Sequence, residues 1–146
     1  MADNENLRVE LVAPDRLVWS GGASFVLART ADGEIGIMRN HAPVLSVLDP
    51  GAVVIQDDGG DTTVAAVDGG FLSVADNRVS ILSEHAETAD EIDLESARRD
   101  VEQAGDGAGD GNAGADQDDD DAARRLAWAQ ARVDAAQKAG RQSATG

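Results

Sequence analysis

His41 and His85 are the only histidines in this 146-residue chain, and cysteine is absent. Disulfides and thiolate metal centres are therefore excluded, and little material remains for a transition-metal site. An imidazole such as His41, with a serine or carboxylate in reach, has the chemistry of a general base. No Gly-x-Ser-x-Gly elbow is present to offer it a nucleophile, and its neighbours Ala42 and Pro43 read as an ordinary loop. Asp57 and Asp58 pair two carboxylates, but at a turn, where water solvates both. The run from Gly109 to Gly114, GDGNAG, has the spacing of a dinucleotide fingerprint. No strand precedes it, and the surrounding aspartates would repel a pyrophosphate. Asp110 and Asn112 open the alternation of a calcium loop, which Gly114 and Ala115 break, leaving weak and non-specific cation binding. Near the C-terminus stand Arg124, Arg125, Arg132, Lys138 and Arg141. Two readings of them are open: the solvated face of an exposed helix, or a surface that pairs with acidic groups on a partner.

The charge balance narrows the partners. At a net charge of −16 the chain is set against nucleic acid and against direct docking on anionic lipid. Residues 1–104 hold 7 basic and 20 acidic side chains, residues 105–121 hold seven aspartates and no base, and residues 122–146 hold five bases and one acid. A basic segment thus follows an acidic spacer. No apolar run reaches the roughly 20 residues of a membrane helix, so attachment to a membrane is expected only through a partner. The start, Met1 to Asn6, is polar and acidic and lacks the features of a signal peptide.

The elements that must position these residues fall into two groups. Residues 7–11 alternate apolar and polar, the period of a half-buried strand. Further short runs lie at 16–19, 24–30, 44–48, 52–56, 62–67, 71–74 and 78–82. Gly21-Gly22, Asp32-Gly33, Pro50-Gly51, Asp58-Gly59-Gly60, Gly69-Gly70 and Asp76-Asn77 punctuate them, which predicts an all-β sandwich or barrel. Residues 83–92 read as a polar linker. Asp93 is a helix N-cap, followed by Leu94, Ala97, Val101 and Ala104 on one helical face, with Gly105 as the stop. Residues 105–121, rich in Gly, Asp and Ala, are expected to form a flexible acidic loop. A second helix is expected from about Asp118, with Leu126, Ala129, Val133 and Ala136 as its stripe and Gly140 at its close. Two thin, Ala-rich stripes make a small interface, which opens at modest cost.

One stretch is more specific than any of these. Residues 33–51, GEIGIMRNHAPVLSVLDPG, together with Gly69-Gly70-Phe71-Leu72-Ser73-Val74 and Leu94-Glu95-Ser96-Ala97-Arg98, resemble the epsilon subunits of bacterial F-type ATP synthases in order and spacing. The resemblance covers about residues 7–104, and 122–137 more loosely. It implies an N-terminal all-β sandwich of about 8–10 short strands over residues 1–88 and a C-terminal two-helix hairpin over 89–146. It implies a non-catalytic rotor subunit of the central stalk, without cofactor, that couples c-ring rotation to the catalytic head. Its partners would be the gamma subunit, the polar loops of the c-ring and, through the helices, the alpha/beta head. It would sit peripherally, in the F1 sector, at the cytoplasmic face of the bacterial cell membrane. By resemblance, Glu34, His41, Ala42 and Pro43 lie near the c-ring, where a carboxylate and an imidazole can hydrogen-bond and a proline stiffens the loop. Arg124, Arg125, Arg132 and Lys138 would be the helix residues that meet acidic surfaces of the head and block ATP hydrolysis. Glu95 and Arg98 stand at a degenerate ATP-sensing motif: Glu replaces its Asp, and Arg99 replaces its final Ala, which weighs against ATP sensing. The acidic run is longer than the usual connection, and its aspartates are expected to screen or compete for the basic helix. The competing classes are a sugar-type binding sandwich, for which Trp19, Trp128, Phe25 and Phe71 are few platforms, and a small hydrolase using His41.

Overall fold

The computed structural model describes residues 6–109 and 116–144, with side chains placed for 6–104 and 121–140. Nine strands come first: β1 (Leu7–Ala13), β2 (Arg16–Thr30), β3 (Gly33–Met38), β4 (Val44–Leu48), β5 (Gly51–Asp57), β6 (Thr62–Val67), β7 (Gly70–Ala75), β8 (Arg78–Leu82) and β9 (Ala86–Thr88). A short 3-10 turn, Ala89–Glu91, leads to α1 (Leu94–Gly109) and α2 (Asp116–Ala144).

The strands run in the order β1-β8-β7-β4-β2-β5-β6-β9, with β3 paired to β2 and a further β1–β2 pairing that closes the structure. One side of the sandwich is β1-β8-β7-β4 and the other is β3-β2-β5-β6-β9, with the long β2 shared. Alternation sets the interior: Leu7, Val9 and Leu11 of β1, Leu72 and Val74 of β7, and Val79 and Ile81 of β8 point inward and are buried against Val26, Ile37, Val53 and Ile55. Burying this aliphatic set, at about 1.5–3 kcal/mol per large side chain, is the main driving force for the β unit.

Gly21 and Gly22 were expected to separate two strands, but β2 runs through them without interruption. The glycines instead leave room for close neighbours. A Cβ on Gly21 would stand 3.1 Å from the Trp19 ring, and one on Gly22 would collide with the Asp58 carboxylate. Residues 83–92 are more ordered than a polar linker: β9 pairs with β6, and the turn after it is capped by Thr88 and Glu91.

Asp93 caps α1 as expected, its Oδ1 accepting from the N–H groups of Glu95 (3.1 Å) and Ser96 (3.3 Å). The expected loop over 105–121 needs correction. α1 carries on through Gly105 to Gly109, and α2 already begins at Asp116. A helix once nucleated extends at little cost per residue, so single glycines lower its stability without stopping it, and acidic residues suit the start of α2. Gly140 likewise does not close α2, which extends to Ala144. The nucleotide-like and calcium-like patterns lie outside the described residues from 110 to 115, and of the aspartates assigned the screening role only the exposed Asp121 has a described side chain.

The helices stack outside the sandwich. Ala131 and Ala135 of α2 are buried against Ala52, Val64 and Ala66 of β5 and β6, with Trp128, Ala139, Val54 and Ile92 at the margin. α1 packs chiefly on α2. The face Ala131-Ala135, absent from the expected Leu126-Val133 stripe, is therefore the one that docks.

Candidate docking interface

The outward side of β4-β7-β8-β1 carries its side chains in register. Val47 of β4 is opposite Phe71 of β7, which is opposite Leu82 of β8, then Val12 of β1. Leu17 of β2 continues the row. Phe71 is 54% exposed, Val47 53% and Leu82 51%. Leu45, 73% exposed, faces Ser73, which faces Ser80, then Glu10. At the far end Ala75 faces Arg78, and Arg78 faces Arg8. An apolar row, a mixed row and a basic pair thus follow one another along this face. Large contiguous apolar exposure of this kind marks a protein-binding surface. The residue-level signal was the near-continuous apolar run of β4, VLSVL, which has more apolar residues than one buried face can use.

His41, Ala42 and Pro43 lie together in the β3–β4 loop. The loop is held by the His41 N–H on the Met38 carbonyl (3.1 Å) and the Asn40 N–H on Asn77 Oδ1 (2.5 Å), tying it to the β7–β8 turn. Asn40, Asp76 and Asn77 all have positive φ, a conformation that Asn and Asp tolerate better than most residues. His41 Nδ1 lies 2.6 Å from the Ala42 carbonyl, which places a proton on Nδ1. Glu34 is not beside them. It sits at the opposite end of β3, in register with Arg29, about 13 Å from Met38 at the usual strand rise. Both Glu34 and the Ala42-Pro43 pair are exposed.

The basic residues of α2 with described side chains divide into two sets, Arg141 lying outside them. Arg124 and Arg125 are exposed. Arg132 is held: its Nε lies 2.8 Å from Glu87 Oε1 of β9, without an aligned hydrogen bond, and one terminal nitrogen donates to Asp100 Oδ2 of α1 at 3.1 Å. One side chain therefore ties α2 to both the sandwich and α1. Lys138 pairs with Asp134 one turn back, at 3.5 Å. Arg98 borders a groove between the helices, of about 390 Å³, with Val101, Gln130 and Val133. Glu95 does not line that groove, so the two motif residues do not converge there.

Among the described residues the His41 ring meets the Ala42 carbonyl, not a serine or a carboxylate. The second histidine, His85, does meet Asp68, Nδ1 to Oδ2 at 3.1 Å. The nearby Ser83 hydroxyl, however, donates to the His85 carbonyl (2.9 Å) and accepts from the Asp68 N–H (3.0 Å), so it braces a turn. The His85 ring lies 5.8 Å from the Trp128 ring, adding a further contact between the sandwich and α2.

Arg16 and Glu91 complete the set. Two guanidinium nitrogens donate to the two carboxylate oxygens at 3.0 and 2.9 Å, and one also reaches the Ala86 carbonyl at 3.2 Å. With the Thr88 N–H bound as well, the Glu91 carboxyl is pulled down to about 2, chiefly by the Arg16 hydrogen bond.

These features define a class: a docking module, with a rigid β-sandwich, an apolar outer face and a helical hairpin clasped by ion pairs. The family model described as the β-sandwich domain of the ATP synthase delta/epsilon chain matches residues 6–89. The ATP synthase epsilon chain of Streptomyces avermitilis is 57% identical over 98 residues, which span 67% of this chain and 79% of that one. The epsilon chain of Rhodococcus jostii is 48% identical over 101 residues, spanning 68% and 83%. A chain in the cryo-EM structure of the Euglena gracilis mitochondrial ATP synthase (OSCP/F1/c-ring) shares the fold, with a TM-score of 0.75, 21% identity, and coverage of 93% of this chain and 81% of that chain. The chain belongs to the ATP synthase delta/epsilon chain family.

Proposed function

We propose that this chain is a non-catalytic central-stalk subunit of a proton-translocating F-type ATP synthase, coupling c-ring rotation to the catalytic head. The observation that carries the reading is the 57% identity to an ATP synthase epsilon chain over 98 residues, two thirds of this chain. The exposed row Val47-Phe71-Leu82 supports a permanent protein partner, since covering it removes apolar surface from water. In this reading that row is the side turned to the gamma subunit. Glu34 and the His41-Ala42-Pro43 loop face the polar c-ring loops. Their separation along β3 makes the contact a strip rather than a single tip. A broad strip suits the transmission of torque, because it resists rotation about any one point.

The helices serve as a brake on ATP hydrolysis by the alpha/beta head in the same proposal. Arg124 and Arg125 are already exposed for such contact, whereas Arg132 and Lys138 must first leave Glu87, Asp100 and Asp134. The assembly holds the chain at the cytoplasmic face of the cell membrane through its partners. No described helix is long and apolar enough to cross a membrane.

The test is a titration of the full chain into a catalytic head stripped of its own small subunit, following ATP hydrolysis. Binding with slowed hydrolysis, relieved by Arg124→Gln with Arg125→Gln, supports both coupling and braking roles. Binding without slowing removes the brake and keeps the stalk role. No binding removes the stalk role itself.

A further inference from the structure

His85, in the turn between β8 and β9, stands under α2, and register explains why. Ala66 is paired with Glu87 and Val67 with Ala86, so the next step along the ladder sets Asp68 opposite His85. Alternation turns both side chains the same way as Ala66 and Glu87. Ala66 packs with Ala131 and Ala135 of α2, and Glu87 meets Arg132. One turn back along α2, Trp128 falls on His85, with ring centroids 5.8 Å apart and planes tilted by 37°. The main chain beneath is fixed. The Asp68 N–H donates to the His85 carbonyl at 3.0 Å, and the Ser83 hydroxyl donates to the same oxygen at 2.9 Å. His85 Nδ1 donates to Asp68 Oδ2 at 3.1 Å. The neutral ring therefore keeps its one proton on Nδ1, and a second proton, on Nε2, makes it a cation between a carboxylate and an indole. Imidazole is the side chain whose charge changes between about pH 5 and 8.

We propose that His85 is a pH-dependent clasp: protonated, it holds Trp128, and with it the helical hairpin, against the sandwich, and neutral, it lets the hairpin lift more readily. The added attraction is that of a cation for the indole, and it exists only while α2 is docked. Asp68 belongs to the same unit as His85, so it steadies the ring whether the hairpin is docked or lifted. The other charges about the contact are Glu84 and Glu87 beside His85 in sequence, Arg124, Arg125 and Arg132 on the turns of α2 next to Trp128, and Asp100 across on α1. Arg132 is matched by Glu87 and Asp100. Arg124 and Arg125 are exposed and act on the ring through water, where salt screens them. The contact with Trp128 thus sets the sign: docking strengthens as pH falls and weakens as it rises. The clasp acts within the chain alone, so it stands apart from the stalk and brake roles.

The experiment is amide hydrogen exchange of the full chain at about pH 5.5 and about pH 8, in about 150 mM salt. Each rate is compared with that of an unstructured peptide at the same pH, so that protection reports how often a segment opens. A lifted helix is marginal in water and exchanges. Protection in α2, relative to β7 and β8, is expected to be about 2- to 5-fold higher at the acid pH. His85→Gln keeps a hydrogen-bonding side chain without a titrating charge and should abolish the difference. Trp128→Leu keeps an apolar side chain without the indole and should do the same. His41→Gln, at the chain's other histidine, should leave the difference in place. Retained protection in β7 and β8 shows that each variant is folded. Wild-type protection that does not change with pH, or that falls in acid, overturns the proposal, as does a difference that survives in His85→Gln.

Discussion

Arg16 and Glu91, 75 positions apart in sequence, are joined by two parallel N–H to carboxylate hydrogen bonds at 3.0 and 2.9 Å. The pair pins the turn after β9 to the start of β2, so any movement of the helices must pivot beyond Glu91, at Ile92 and Asp93. Because the folded Glu91 carboxyl lies near 2, below its ordinary 4.5, its contribution to stability is complete above pH 4.5. It declines as pH falls from 4.5 towards 2. Glu91→Gln should therefore lower the melting temperature at pH 7, and the gap from wild type should close across that acid window. Thermal melts at pH 7, 4 and 2 read this directly (the pH values being round choices about the two pKa values). A gap that stayed constant through the window would show that the pair contributes nothing through charge.

Arg132 of α2 meets both Glu87 of β9 and Asp100 of α1. Its side chain is only 15% exposed, so its guanidinium is poorly replaced by water when a partner is lost. Arg132→Met keeps the aliphatic stem but removes the charge. It is expected to cost the docked hairpin about 1–3 kcal/mol, leaving the half-buried Glu87 without its cation. Amide hydrogen exchange should speed up in α1 and α2 while the interior strands keep their protection. Equal exchange in variant and wild type would make the clasp energetically idle.

Alternation and turn residues were enough to expect strands at β1 and at β4 to β8, because each buries one face or two against a single core. The Asp93 cap was equally local: one carboxylate two and three residues ahead of the N–H groups it accepts. What the residues did not reveal was geometry that depends on tertiary register. Glu34 and His41 stand close in sequence, yet β3 holds them a strand's length apart. Arg8 and Arg78 are distant in sequence and adjacent in the sheet. Gly21-Gly22 and Gly105 were read as breaks because glycine lowers local propensity, but pairing on β2 and continuation of a nucleated helix overrode that preference. The docking face of α2 was missed because alanines lie all round the helix, so periodicity alone does not choose between stripes.

Gly70 is expected to be the least replaceable glycine of the β unit. Its φ of +114° is one that L side chains rarely adopt, and a Cβ there would run into the Leu82 carbonyl of β8. Since β7 and β8 carry Phe71 and Leu82 on one side and Leu72 and Ile81 on the other, any shift disturbs core and docking face together. Gly70→Ala should cost about 3 kcal/mol or more. Gly33 provides the comparison, with a φ of +122° but nothing within 4 Å of a built Cβ. Gly33→Ala should cost about 1–2 kcal/mol, from backbone strain alone. Urea melts of the two variants distinguish the cases, and similar midpoints would refute the steric account of Gly70.

Ala135 offers a way to separate the hairpin from the sandwich without altering charge. It is fully buried where α2 meets Ala52, Val64 and Ala66, and that contact admits no longer side chain. Ala135→Leu adds three carbons to a close-packed site, an overpacking of about 1–3 kcal/mol. The strain can be relieved in two ways: by shifting the strands, or by lifting the helix. The β core is large and continuous, whereas α2 rests on a few alanines and the Arg132 and Trp128 contacts, so lifting is the cheaper response. The expected result is faster tryptic cleavage after Arg132 and Lys138, with the strands as resistant to exchange as before. Cleavage at the wild-type rate, with lost protection in β5 and β6, would mean that helix and sheet yield as one unit and that the hairpin is no separable lever.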